Sequence, residues 1–199
     1  MKRHAPAAAR NAAPIAGILA QELPAAGTVL EIASGTGEHA VFMARRFPDV
    51  SWQPTERDAE DMASISAWRE EAGLANLLPP IALDAAARQW PVTRCEAMVC
   101  INMVHISPWA ATEGLMQGAA RILERGGPLC LYGPYIEPGV ETAASNIAFD
   151  ASLKARDAAW GLRDAADMDA LALASAFGLE RSKRHAMPAN NLMLIYRKR

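Results

Sequence analysis

Short apolar runs alternate along the chain with longer segments whose apolar residues recur every three or four positions, the two periods of strand and helix. Residues 10–23 place Ile15, Ile18, Leu19 and Leu23 on one helical face, with Pro14 in the first turn and Pro24 and Gly27 as the stop. Thr28–Ala33 reads as a buried strand and Glu38–Phe47 as a helix ended by Pro48. Val50–Thr55 is a second strand, in which Pro54 is awkward for a central position. Asp58–Ala72 is a helix with Met62, Ile65 and Trp68 on one face and Gly73 at its end. Pro80–Leu83, Ala97–Asn102 and Pro128–Tyr132 are three further strands, and Thr112–Leu123 is a helix. The stretch 134–166 is irregular, with a helix over 146–158; a helix follows over Met168–Phe177, ended by Gly178. Leu179–Arg184 and Leu192–Tyr196 are the last strands.

Strands alternating with helices imply a mostly parallel sheet in an α/β sandwich. Only seven residues (185–191) join the last two strands. A parallel crossover needs about a dozen or more, so this pair is an antiparallel hairpin. A length of 199 residues with 51% hydrophobic content fits one domain over 1–199, with helix 10–23 as an N-terminal cap and 134–166 as an insertion.

A net charge of −2 offers no footprint for nucleic acid or an anionic membrane. Three cysteines, Cys95, Cys100 and Cys130, without a CxxC pair, argue against a disulfide framework and a structural metal, and point to the cytoplasm. No apolar stretch has the length of a membrane helix, and Arg10, Asn11 and Pro14 interrupt the apolar N-terminus that loosely imitates a signal peptide. Oligomeric state is left open.

The strongest motif is Val29–Gly37, VLEIASGTG, a strand running into a glycine turn that opens a helix. Glycines there let a ligand approach the backbone, and helix-start N–H groups face it. Gly35, Gly37 and Ala40 also fit the looser pattern of dinucleotide binders. Glu56 ends the next strand, where a carboxylate, acceptor-only with two oxygens, suits a ribose diol. Glu31, inside the first strand, would repel a pyrophosphate and suits a cationic ligand such as S-adenosylmethionine.

With the closing hairpin, these residues resemble class I S-adenosylmethionine-dependent methyltransferases. The resemblance implies a three-layer Rossmann-like sandwich with a seven-stranded, mostly parallel sheet and an antiparallel last strand. It also implies S-adenosyl-L-methionine as cofactor. VLEIASGTG is similar to their first motif, with Ala33 in place of the first glycine. Glu31, Ala33, Gly35 and Gly37 then hold the methionine end, Glu56 the ribose, and Asp84, in IALDA, the adenine edge. The segments RNAAPI, WQPTE, INMVHISPW, LYGPY, SNIAFD, SLKARDAAWGLRD and MPANNL look more narrowly like a small family of bacterial methyltransferase-like proteins with an animal relative. Glu56 stands where that family often shows Asp, and Ala158–Ala159 where an Asp-Pro step is usual.

Residues after the fourth strand face the transferred methyl in such folds: Asn102, Met103, Val104, His105 and Ile106. His105 is either a general base or acceptor-orienting group, or a buried histidine bonded to backbone. Asn102 borders the cofactor. His39, in the helix after the glycine turn, is a helix-face or cofactor-adjacent residue. Tyr132, as a catalytic candidate, and Tyr135, as a substrate contact, follow the fifth strand at the crevice formed by the strand ends. Asn146, Trp160 and Arg163 on the insertion, Asn190 in the last turn, and Arg10 and Asn11 at the start of the first helix complete the candidate acceptor contacts. Arg10 and Arg163 would suit a small acidic acceptor. No Asn-Pro-Pro-Tyr motif is present, which favours a small-molecule oxygen, sulfur or nitrogen nucleophile over nucleic acid. Two rival readings stand: an NAD(P)-dependent oxidoreductase, and a non-catalytic cofactor-binding interaction module.

Overall fold

The computed structural model describes residues 1–174 and 178–199. Its main elements run α1 (Pro6–Glu22), β1 (Gly27–Ile32), α2 (Glu38–Arg46), β2 (Val50–Glu56), α3 (Ala59–Ala72), β3 (Ile81–Ala82), β4 (Ala97–Ile101), α4 (Trp109–Ile122) and β5 (Pro128–Gly133). Then come β6 (Tyr135–Ile136), α5 (Ala144–Arg156), β7 (Arg163–Asp164), α6 (Ala165–Ala174), β8 (Leu179–Met187) and β9 (Asn191–Lys198). Seven strands form one sheet in the order β3-β2-β1-β4-β5-β9-β8. β1 to β5 pair in parallel, and β9 runs antiparallel to both β5 and β8. β6 and β7 form a separate two-stranded parallel sheet inside the insertion, which the sequence pattern does not announce.

The central strands β4 and β5 are almost wholly apolar because both faces of the sheet are covered. Leu30, Ile32, Met98, Leu129 and Leu131 pack with Leu115 and Met116 of α4 and Met168 of α6. Val29, Val99, Cys130 and Ile195 pack on the other face with Ile15 and Leu19 of α1 and Met43 of α2. The three cysteines are free and buried, and burial pushes each thiol up to about 12. No helix among the described residues is long and apolar enough to cross a membrane.

Three expectations shift. The first helix starts at Pro6 rather than residue 10, so Pro14 lies within it, and Arg10 and Asn11 sit mid-helix instead of at its start. Pro6 takes the first-turn position that tolerates a missing N–H, while Ala8 and Ala12 continue the buried face of Ile15 and Leu19. The hairpin strands extend to a tight turn at residues 188–190, where Ala189 and Asn190 both take positive φ. α4 begins at Trp109, three residues early, after Pro108. The residues 175–177 that close the expected sixth helix lie outside the described residues. Pro54 is accommodated although β2 is internal: its neighbour β3 pairs only at Thr55 and Glu56, and the Gln53 amide donates to the carbonyls of Pro54 and Pro79 at 3.0 and 2.7 Å.

Beyond the sheet, one carboxylate fastens the ends of the chain. Glu22, at the end of α1, has a fully buried side chain and meets Lys183 of β8 at 2.7 Å and Arg197 of β9 at 2.6 Å. His185 Nε2 stands 3.9 Å away.

Candidate functional site

The carboxyl ends of β1, β2 and β4 converge on a cleft of about 480 Å³. The chain leaves β1 through Ala33, whose φ of 55° is unfavourable for a residue with a β-carbon. Side-chain and backbone bonds to the end of β2 hold it there. Ser34 N–H donates to the Thr55 carbonyl at 2.8 Å, and Thr55 Oγ1 to the Glu31 carbonyl at 2.8 Å. Glu56 Oε2 accepts from the Gly35 N–H at 2.9 Å, while its Oε1 accepts from the Arg57 N–H at 2.8 Å. Gly37 does not line the cleft. It takes a φ of 94° at the head of α2, where a β-carbon would stand 2.9 Å from the Cα of Ile65.

Ala33, Gly35, Glu56 and Asp84 line the cleft as the sequence suggests. Asp84 Oδ1 accepts from the Ala86 N–H at 2.9 Å. Sequence reasoning missed Asp58, Asp61 and Arg3, which also line it. Arg3 belongs to an N-terminal segment laid over α3, its backbone N–H on Ser64 Oγ and its Nη1 2.9 Å from Asp61. No periodicity marks such an extended segment, so no sequence signal could have placed it.

Glu31 is 1% exposed and lies beneath the turn rather than in the cleft. Its Oε2 accepts from Ser34 Oγ at 3.0 Å and Trp52 Nε1 at 2.9 Å. Burial outweighs these bonds and raises its pKa from 4.5 to about 7. A carboxyl raised in the folded state favours folding below pH 4.5 and loses that contribution as the pH rises through about 7. A cation bound above the turn restores the charged form, so its affinity rises with pH over the same interval. Affinity for such a cation should increase about tenfold from about pH 5.5 to about pH 7.5, one pK unit of coupling. Glu31→Gln keeps an acceptor for Trp52 and should flatten that dependence. Calorimetric titrations across pH measure both, and an equally steep profile in the variant would refute the coupling.

A second cavity, of about 720 Å³, adjoins the cleft at Ile106, which lines both. The end of β4 divides between them: Ile101 and Met103 face the cleft, and Asn102 and His105 the cavity. Arg10, Asn11, Tyr132, Asn146 and Asn190 also line the cavity, joined by Phe149, Ser145 and Asn191. Asn102, with a φ of 65°, uses the tolerance of asparagine for the left-handed region.

His105 is 4% exposed, edge-on to Phe149 with ring centroids 5.6 Å apart. Gly133 makes room for it, since a β-carbon there would approach Nδ1 to 3.0 Å. Neither ring nitrogen has a hydrogen-bond partner among the described residues, so the backbone-bonded alternative does not hold. Burial, reinforced by Arg163, lowers its pKa to about 4, leaving the imidazole neutral. His39 acts from behind the cavity. Burial lowers its pKa to about 4, and Nε2 lies 2.7 Å from Asn11 Oδ1. Asn11 and Tyr132 line the cavity together. The Asn11 carbonyl oxygen accepts from His39, which leaves its NH₂ available to the cavity.

Three candidates do not reach this cavity. Arg163 is folded onto backbone, its Nη2 donating to the carbonyls of Ser107 and Ala159 at 2.7 and 2.9 Å, and it rests on the Trp109 ring. It shapes the loop after β4. Trp160 stacks under Arg156. Tyr135 is buried, and its hydroxyl has no partner among the described residues.

The sheet order and its covering helices are those of the Rossmann-like methyltransferase fold. Mitomycin 7-O-methyltransferase MmcR aligns with a TM-score of 0.80 at 16% identity, over 97% of this chain and 54% of its own. An O-methyltransferase family protein from Burkholderia thailandensis gives 0.80 at 16%, over 96% and 57%. CalO1, a methyltransferase in calicheamicin biosynthesis solved in its SAH-bound form, gives 0.75 at 18%, over 96% and 54%. The chain thus spans little more than half the length of these structures. It belongs to the family described as "Protein of unknown function (DUF938)", which matches residues 2–198.

Proposed function

We propose that the chain is an S-adenosylmethionine-dependent methyltransferase acting on a small-molecule oxygen, sulfur or nitrogen nucleophile, a single domain working in the cytoplasm. One observation carries the choice of cofactor. The Gly35 N–H, the turn donor a pyrophosphate would need, is already held by Glu56. The carboxylates of Glu56, Asp58, Glu60, Asp61 and Asp84 line the cleft beside that turn and outnumber its cations, Arg3 and Arg57. This donor set repels a dinucleotide and fits a phosphate-free, cationic nucleoside. Glu56 would hold the ribose, Asp84 the adenine amino edge, and Ala33 with Gly35 the methionine end, over Glu31.

When bound, the cofactor supplies a methyl group on a sulfonium, so alignment and exclusion of water are the main demands on the protein. Asn102 and His105 stand where the cleft meets the cavity. His105 accepts the proton that an acceptor hydroxyl or thiol sheds as its lone pair bonds to the methyl. Tyr132, which lines the same cavity, donates to the acceptor. The narrower likeness to bacterial methyltransferase-like proteins supports the same reading.

Calorimetry with S-adenosylhomocysteine and with NAD tests the cofactor. Saturable binding of the first alone is expected, and saturation by NAD alone would overturn the proposal. Product assays over small acids, phenols and thiols test turnover, and a cofactor-saturated protein that methylates none of them would favour an interaction module.

A further inference from the structure

The two adjoining recesses differ in charge. Five carboxylates, Glu56, Asp58, Glu60, Asp61 and Asp84, line the cofactor cleft with Arg3 and Arg57, whereas among the described residues no Asp or Glu lines the cavity beside it. The cavity's cation is Arg10, which makes no ion pair or hydrogen bond among the described residues. Two amides there show a common polarity. Asn146 Nδ2 donates to the Asn190 carbonyl at 3.0 Å, and Asn191 Nδ2 to the carbonyls of Pro188 and Ala189 at 2.9 and 3.2 Å. Carbonyl oxygens only accept, so these bonds fix each amide with its own oxygen free. The cavity therefore offers a guanidinium, free carbonyl acceptors, and an apolar wall of Phe149, Pro134 and Ile106.

Resting on the methyltransferase reading, we infer that the acceptor is a small hydroxylated carboxylic acid without an amino group. Its carboxylate pairs with Arg10 and its reacting hydroxyl donates to His105, while the Asn146 and Asn191 carbonyls accept from any further hydroxyl it carries. An ammonium group finds no carboxylate to meet it and would face Arg10, which excludes amines and amino acids. A neutral acceptor would leave the guanidinium unpaired, forgoing the bidentate pairing that arginine geometry favours.

Matched pairs test this on protein loaded with S-adenosylhomocysteine: salicylate against salicylamide, mandelate against mandelamide, lactate against lactamide. Titration calorimetry should find at least one acid binding about tenfold more tightly than its amide, the scale of one charge-assisted pair at a partly exposed site. The preference should vanish in Arg10→Gln and return in part in Arg10→Lys. Equal affinities within every pair, a preference that survives Arg10→Gln, or no acid binding while S-adenosylhomocysteine saturates the protein would each overturn the inference. Failure of S-adenosylhomocysteine itself to bind would overturn the methyltransferase reading, and this inference with it.

Discussion

Glu56→Gln should weaken S-adenosylhomocysteine binding about 100-fold while leaving the fold intact. Hydrogen bonds to a charged acceptor contribute about 1.5–3 kcal/mol each, and a ribose diol would make two of them with this carboxylate. The substitution has a second effect. Both oxygens already accept from backbone, Oε2 from Gly35 and Oε1 from Arg57 and Asp58. A carboxamide has one oxygen, so its NH₂ must confront one of these N–H donors, and the glycine turn or the start of α3 loosens. Glu56→Ala removes both acceptors and should bind more weakly still. Calorimetric titration reads the affinity, and far-ultraviolet circular dichroism confirms that the fold persists. Unchanged affinity in Glu56→Gln would remove the ribose from this position.

The largest stability effect is expected at Glu22→Ala. Breaking a buried ion pair costs about 3–5 kcal/mol when its partners stay buried. Here the carboxylate is fully buried, but Lys183 and Arg197 are 49% and 34% exposed and can rehydrate. The expected loss is therefore at the low end, about 3 kcal/mol. For a domain of this size that lowers Tm by roughly 10 °C, readable by calorimetric melting. The contact joins α1, which carries Arg10 and Asn11, to the hairpin whose turn carries Asn190. Loss of acceptor binding should accompany the lower Tm. A variant melting within about 1 °C of wild type, less than the shift for 1 kcal/mol, would show that the hydrophobic face of α1 holds it alone.

Much of the cleft was legible because it is local. Ala33, Gly35 and Glu56 lie at the ends of β1 and β2, and strand-turn-helix spacing places them without tertiary knowledge. The cavity draws on α1, β4, β5, α5 and the β8–β9 turn, so only candidates could be named there. Asn102, His105, Tyr132, Asn146 and Asn190 do meet in one cavity. Arg163 looked equally suitable, and a side chain that could reach solvent, substrate or carbonyls gives no sign in sequence of which it chooses. Phe149, within SNIAFD, was visible as an aromatic on a polar helix but carried no spacing that tied it to His105.

The sequence by itself determined the alternation of strand and helix, the closing hairpin and the glycine turn, because periodicity and turn chemistry act over a few residues. Tertiary structure alone decided that Glu31 sits beneath the turn, that Arg163 is spent on backbone carbonyls, and that Arg10 remains unpaired beside a cavity free of carboxylates. Those outcomes depend on how distant segments share buried space and partners, which no local pattern encodes.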